Sequence, residues 1–258
     1  MNYTLITGAS KGIGKSLALE CAKRKMNLIL VARSEDLLRQ LAGELATSGI
    51  EVKYFVADLL QADAQTKIFE WVKENKLQVN MLINNAGMGY WGKFADCPME
   101  KHLEVMNLNM DAMVKLSYAF LQNTTASEKR YILHTVSTGA YQPVPYMGIY
   151  CATKSFMLSF SIALREELKS QNVNVTALCP GPTESEFFGP AKMEKLVARQ
   201  AKFMMPSTVV ARVGMDALLK NKPSAIPGWM NKISALLTTL TPSALSASVS
   251  AQIFKGNY

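Results

Sequence analysis

The chain has 258 residues, of which 49% are apolar and 19% charged. That is enough to bury one sizeable core, and it excludes a disordered tail, a collagen-like fibre and a disulfide miniprotein. Lys and Arg total 28 against 20 Asp and Glu, and the resulting +8 favours anionic partners such as phosphates, nucleic acid or acidic lipid without choosing among them.

Short β-rich runs alternate with longer segments of helical period. This pattern predicts an α/β fold, a doubly wound parallel sheet of about seven strands with helices on both faces. The expected strands are 3–7, 27–32, 51–57, 81–84, 131–137, 173–178 and 224–227. The expected helices lie near 12–25, 34–48, 63–75, 99–122, 149–170, 191–203 and 207–221. No repeat, low-complexity tract or Pro/Ser linker divides the chain, so a single domain over 1–258 is expected. Met1 runs directly into the first strand with no basic region or cleavage site, so no signal peptide is expected.

The segment from Gly228 onward is expected to form a C-terminal helical extension, 228–258. Trp229, Met230, Ile233, Leu236, Leu237 and Leu240 fall on one helical stripe, which predicts packing against the body or a second subunit, with a membrane-surface or substrate-mouth role as the alternative. The interval 233–254 carries no charged residue, but nine of its residues are Ser, Thr or Gln and Pro242 interrupts it, which argues against a spanning helix. Membrane-surface contact is therefore open but not favoured. Four cysteines (Cys21, Cys97, Cys151, Cys179) with no Cys-x-x-Cys pair, and only two histidines, His102 and His134, indicate neither a metal site nor a disulfide framework. A reducing, cytoplasmic location is expected. Both histidines read as structural, since no carboxylate or cysteine partner pairs with either.

Directly after the first strand stands Thr7-Gly8-Ala9-Ser10-Lys11-Gly12-Ile13-Gly14, followed by a helix. Glycines let the backbone turn sharply and let a pyrophosphate approach, while the helix N-terminus offers free N–H groups and a partial positive charge. The Gly-x-x-x-Gly-x-Gly spacing differs from Gly-x-Gly-x-x-Gly and resembles the glycine motif of the short-chain dehydrogenase/reductase family. Asn84-Asn85-Ala86-Gly87 after the fourth strand is similar to that family's N-N-A-G element, Asp58-Leu59 to its adenine-contacting pair, and Pro180-Gly181 with Thr183 to its nicotinamide-side loop. The resemblance covers most of the chain. It implies a nicotinamide dinucleotide held by Gly8, Ser10, Lys11, Gly12, Ile13 and Gly14, by Asp58 and Leu59, by Asn85, Ala86 and Gly87, and by Pro180, Gly181 and Thr183.

Charge selects between cofactors. The second strand ends in Val31-Ala32-Arg33-Ser34, where an NAD-preferring site would place an acid, and Lys11 lies in the glycine loop. Arg33 can grip a 2′-phosphate bidentately, so NADP(H) is expected. Asp36 reads as a residue of the following helix's first turn.

Tyr150 and Lys154 stand four apart on a predicted helix, so both lie on one face, and Ser137 ends the fifth strand, where open α/β sheets bind ligands. The three are similar to the family's Ser–Tyr–Lys set. Hydride would move between nicotinamide and a carbonyl carbon. The resemblance makes Tyr150 the acid in reduction and the base in oxidation, its pKa lowered by the Lys154 ammonium. Lys154 would also hold the nicotinamide ribose, and Ser137 would donate to the developing oxyanion. The family's fourth member is an Asn that holds a proton-relaying water. Asn107 and Asn109 both qualify, and Asn109 is preferred because Leu116-Ser117 follows it at the family's separation.

The run 141–147, the residues Tyr90 and Trp91, and Phe187, Phe188, Met204 and Met205 around an expected substrate lid at 184–206 suggest an apolar pocket without an Arg or Lys clamp for a carboxylate. A lipophilic ketone, secondary alcohol or acyl derivative is the expected small-molecule substrate. The alternatives are a non-catalytic dinucleotide-sensing regulator or scaffold, and a basic nucleic-acid or membrane-surface binder. No nucleic-acid motif is present, so no nucleic-acid partner is expected. By analogy with relatives, a homodimer or homotetramer pairing through helices 99–122 and 149–170 is expected.

Overall fold

The computed structural model describes residues 1–124, 128–184 and 204–254. Seven parallel strands form one sheet in the order β3-β2-β1-β4-β5-β6-β7. They are β1 (Asn2–Thr7), β2 (Asn27–Ala32), β3 (Val52–Val56), β4 (Gln78–Asn84), β5 (Arg130–Thr135), β6 (Val173–Leu178) and β7 (Ser224–Ala225). β1 lies between β2 and β4, so the strand order reverses there and a crevice opens at the carboxyl ends of these two strands.

Helices cover both faces. On one side α1 (Gly12–Lys23), α2 (Glu35–Ala46) and the later helix Ser207–Leu219 bury Leu17, Cys21, Leu38, Leu41, Val210 and Met215 against the sheet. On the other side α3 (Ala64–Glu74), the segment 99–122 and a long helix Gly148–Glu167 bury Ile68, Val72, Leu116, Phe120 and Leu164. β6 is buried along its whole length, as a strand sandwiched between two helical layers must be.

Two elements depart from the sequence expectation where the site lies. The helix expected over 99–122 is α4 (Met99–Met106) and α5 (Ala112–Gln122), joined by a wider π-helical turn at Asn107–Asp111. The extra residue in that turn points Asn109 into the protein and leaves Asn107 exposed. β5 stops at Thr135, two residues short of expectation. Ser137 instead caps a short turn at Thr138–Tyr141 by accepting a hydrogen bond from the Gly139 N–H at 3.0 Å. The helix expected at 191–203 lies outside the described residues.

After α6 (Gly148–Glu167) and α7 (Ser207–Leu219) come α8 (Trp229–Leu240) and α9 (Ser243–Phe254), separated at Thr241 and Pro242. The stripe on α8 does not pack on the body: Trp229, Met230, Ile233, Leu236, Leu237 and Leu240 lie on the exposed face, and Ala235 is the buried residue of this helix. Periodicity identifies residues that share a face, but not the side on which the rest of the protein stands. Among the described residues no helix is long and apolar enough to cross a membrane.

Candidate active site

The crevice holds a cavity of about 990 Å³ lined by the turns after β1, β2, β3, β4, β5 and β6. At its nucleotide end the chain leaves β1 through Gly8, whose φ of +62° suits glycine. A Cβ there would lie 2.9 Å from the Ala86 Cα, and one at Gly14 would collide with the Gly8 carbonyl. The turn after β4 is bolted to the glycine turn. The Thr7 hydroxyl accepts from the Asn85 and Ala86 N–H groups at 3.1 and 3.2 Å, and the Asn85 amide donates to the Thr7 and Gly8 carbonyls at 3.1 and 3.3 Å. Asn84 reaches the other way, donating to the Met113 carbonyl and the Ser117 hydroxyl of α5.

α1 begins with no side-chain cap and no acidic residue in its first turn, so its amino end presents N–H groups and positive potential to the cavity. Gly8, Ser10, Lys11, Gly12, Ile13, Arg33, Asp58, Leu59, Asn85, Ala86 and Gly87 all line this end. Asp36 turns away to Arg39 at 2.8 Å, which leaves the Arg33 position without a carboxylate competitor from α2. Asp58 steadies its own turn by accepting from the Leu60 N–H at 3.1 Å. Gly14 stands behind the wall, where its lack of a Cβ lets α1 approach the turn.

At the other end Ser137, Tyr150 and Lys154 meet, together with Pro180, Gly181 and Thr183 after β6. The Thr138 N–H donates to the Pro180 carbonyl at 2.9 Å, tying the two loops together. The Lys154 ammonium is buried, donates to the Thr135 carbonyl at 2.9 Å and lies 5.8 Å from the centre of the Tyr150 ring. Burial lowers its pKa to about 8. A Cβ on Gly87 would lie 3.1 Å from Asn109 Oδ1 and 3.4 Å from Lys154 Nζ, so these two groups converge on the same glycine. Asn109 stands behind the cavity wall, fully buried. It accepts from the Met88 N–H and donates to the Met88 carbonyl, both at 2.9 Å, and donates to the Thr153 hydroxyl at 3.0 Å.

One electrostatic expectation is reversed. Tyr150 was expected to be acidified by Lys154, yet burial raises its pKa, and the opposing influence is its hydrogen bond with Ser137. Sequence spacing counts the nearby cation but not the desolvation of phenolate, which is the larger effect here.

Of the expected pocket residues, Tyr90, Gln142, Val144 and Met147 line the cavity. Trp91 packs behind it with Val144, Met147 and Cys151, while Tyr141 turns to the Cys179 sulfur, because both rings find apolar cover off the cavity. Met205 pairs with Thr183 in a short parallel bridge. Phe187 and Phe188, with most of the expected lid, lie outside the described residues. Lys101 of α4 also lines the cavity, with its ammonium paired to Glu104 at 2.7 Å.

Sequence reasoning missed a wall of the cavity. Asn231, Ser234, Ala235 and Thr238 of α8 line it, at the i, i+3, i+4, i+7 spacing opposite the apolar stripe. The Asn231 side chain donates to the Pro227 carbonyl at 2.8 Å and fills the space a Cβ on Gly181 would need. Both histidines are structural. His134 lies between the Ser117 and Ser161 hydroxyls at 3.0 and 2.8 Å, and His102 contacts the Phe94 carbonyl.

A family model described as short chain dehydrogenase matches residues 2–195. A very-long-chain 3-oxoacyl-CoA reductase of Anas platyrhynchos is 30% identical over 260 residues, 97% of this chain and 80% of that protein. The 17-beta-hydroxysteroid dehydrogenase type 3 of Homo sapiens is 34% identical over 240 residues, 88% of this chain and 76% of that protein. Among solved structures, a short-chain dehydrogenase from Sphingobium yanoikuyae in complex with NADPH superposes with a TM-score of 0.82 at 30% identity, covering 92% of each chain.

Proposed function

Because the chain belongs to the short-chain dehydrogenase family, we propose that it is an NADP(H)-dependent reductase of lipophilic ketones or 3-oxoacyl thioesters. The observation that carries this reading is the convergence of Ser137, Tyr150 and Lys154 on one cavity whose other end is the uncapped α1 turn and Arg33. The glycine cradle and the cationic end fit an adenine dinucleotide with a 2′-phosphate. When bound, that cofactor supplies a hydride.

The protein's own residues handle the proton. Burial keeps the Tyr150 phenol protonated near neutral pH, so it is the acid that protonates the carbonyl oxygen during reduction. The Ser137 hydroxyl donates to the same oxygen as charge develops on it. Lys154, with a pKa near 8, is largely cationic at neutral pH and stabilises the phenolate left behind. Asn109 positions the Met88 backbone beside them. Met88, Val105, Leu108, Val144 and Met147 supply apolar wall for an acyl chain or ring system.

The names of the two relatives support this substrate class, and the NADPH complex supports the cofactor. Four buried thiols support a reducing, cytoplasmic compartment. Exposed Tyr118, Phe156 and Ile162 on α5 and α6 support pairing of two copies through those helices.

The test is NADPH consumption, followed at the reduced-nicotinamide absorbance, with ketones of graded lipophilicity and 3-oxoacyl thioesters. Turnover that favours NADPH over NADH and rises with chain length is expected. Cofactor binding without turnover of any carbonyl would return the protein to the sensor class.

A further inference from the structure

Two consecutive helices at the end of the described chain have their polarity inverted. α8 turns Asn231, Ser234, Ala235 and Thr238 toward the cavity, while Trp229, Met230, Ile233, Leu236, Leu237 and Leu240 are between 49% and 74% exposed. α9 buries Ser246 and Ser250 and exposes Leu245 and Val249. A helix resting on a soluble protein shows the opposite arrangement, so this face is built for an apolar surrounding.

Charge narrows what that surrounding is. α8 and α9 carry no Asp or Glu, and their one charged residue, Lys232, is exposed one turn from Trp229 and Leu236. A second copy meeting this patch across a two-fold axis would bring lysines together with no acid to answer them. A surface that is apolar in the middle and negative around it answers both features.

We propose that the α8–α9 face docks the protein on the surface of a bilayer containing anionic phospholipid. Trp229 and the leucines enter the headgroup–acyl boundary, and Lys232 meets the phosphates. Each helix has 12 residues and is about 18 Å long, against about 30 Å of hydrocarbon, so the pair lies in the interface and does not span it. Docking places a wall of the catalytic cavity one helix diameter, about 10 Å, from the lipid, a short path for a lipophilic substrate. That last consequence rests on the substrate reading above; the docking does not.

The experiment is flotation of the full chain with vesicles of phosphatidylcholine alone and of phosphatidylcholine with one third phosphatidylglycerol. Wild type is expected to float with the anionic vesicles at least about tenfold better than with the neutral ones. The double variant Leu236→Glu/Leu240→Glu, with its thermal midpoint unchanged or raised, is expected to lose about tenfold or more of that binding. Lys232→Gln gives a second route that leaves the apolar residues intact, and is expected to weaken binding about fivefold. Three outcomes would overturn the proposal: wild type staying soluble with both vesicles, the leucine variant floating as well as wild type, or light scattering showing a dimer that the leucine variant dissociates. Docking without turnover of any lipophilic carbonyl would sustain the surface and sink only the substrate reading.

Discussion

The cavity has two walls of opposite construction. On the sheet side, the polar groups that shape the turns have fixed partners: Thr7 with Asn85 and Ala86, Ser137 with Gly139, Lys154 with Thr135, Asn109 with Met88. On the helix side, α8 puts small and polar side chains toward the cavity and large apolar ones outward, and α9 after it repeats that inverted polarity. A pre-formed reaction site must be held to within fractions of an ångström, which hydrogen-bonded backbone turns at strand ends can do. A wall that only closes the cavity and meets the outside has no such demand, and its sequence answers to whatever it touches.

Substitutions on the sheet wall therefore act on chemistry and cofactor choice, and those on the helix wall act on stability or docking. The largest effect is expected for Tyr150→Phe, which removes the acid without changing the ring. The rate of ketone reduction should fall by roughly 10²–10⁴-fold, while NADPH affinity from fluorescence titration stays nearly unchanged. Retention of most of the rate would place the acid elsewhere on that wall. Next comes Arg33→Asp, which replaces a charge-assisted phosphate contact with repulsion. The NADPH-over-NADH preference in kcat/KM should drop roughly a hundredfold, and an unchanged preference would move the 2′-phosphate site off β2.

Lys154 tests the sheet wall through its energetic cost. Burial lowers its pKa from 10.5 to about 8. Between those values the unfolded chain binds a proton that the folded protein does not, so stability rises with pH across that window and the full penalty applies below about 8. Lys154→Met removes the buried charge and also the bond to Thr135. The variant should gain on the order of 2 kcal/mol in urea unfolding at pH 7, lose the rise toward pH 10, and be catalytically dead. A variant less stable than wild type at pH 7 would mean that the ammonium is held by more than desolvation allows.

The same contrast explains what could be read in advance. Strands β1, β2 and β6 and the turn residues Gly8, Asn85 and Pro180 were legible because a backbone that turns sharply at a strand end leaves a chemical signature in the residues themselves. Asn109 was preferred over Asn107 only through the family's separation to Leu116-Ser117; helical period could not show its inward aim, because the π turn at Asn107–Asp111 leaves the pattern of 99–122 uninterrupted in sequence. The Asn231, Ser234, Ala235, Thr238 wall was hidden for another reason: the apolar stripe beside it looked like the buried face, and only tertiary structure says which side of α8 is inside. The raised pKa of Tyr150 depends on burial, which spacing does not report.

The smallest effect is expected on α9, the helix that follows this wall, and probes the inverted polarity most directly. Ser246 is buried on α9, and among the described residues its hydroxyl has no hydrogen-bond partner. A buried hydroxyl without a partner keeps the cost of leaving water and gains nothing in return, whereas a methyl group at the same place costs nothing. Ser also has a weaker helix propensity than Ala. Ser246→Ala should therefore raise stability by about 1 kcal/mol in urea unfolding and leave turnover unchanged. The control is Ser16, whose hydroxyl meets that of Ser207 at 2.8 Å between α1 and α7, and whose replacement by Ala should cost stability. Opposite signs at these two buried serines would show that burial alone does not set a serine's contribution, and that the partner does. A loss of stability at Ser246 would mean that its hydroxyl has a partner, and that this helix packs by the same rules as the rest of the protein.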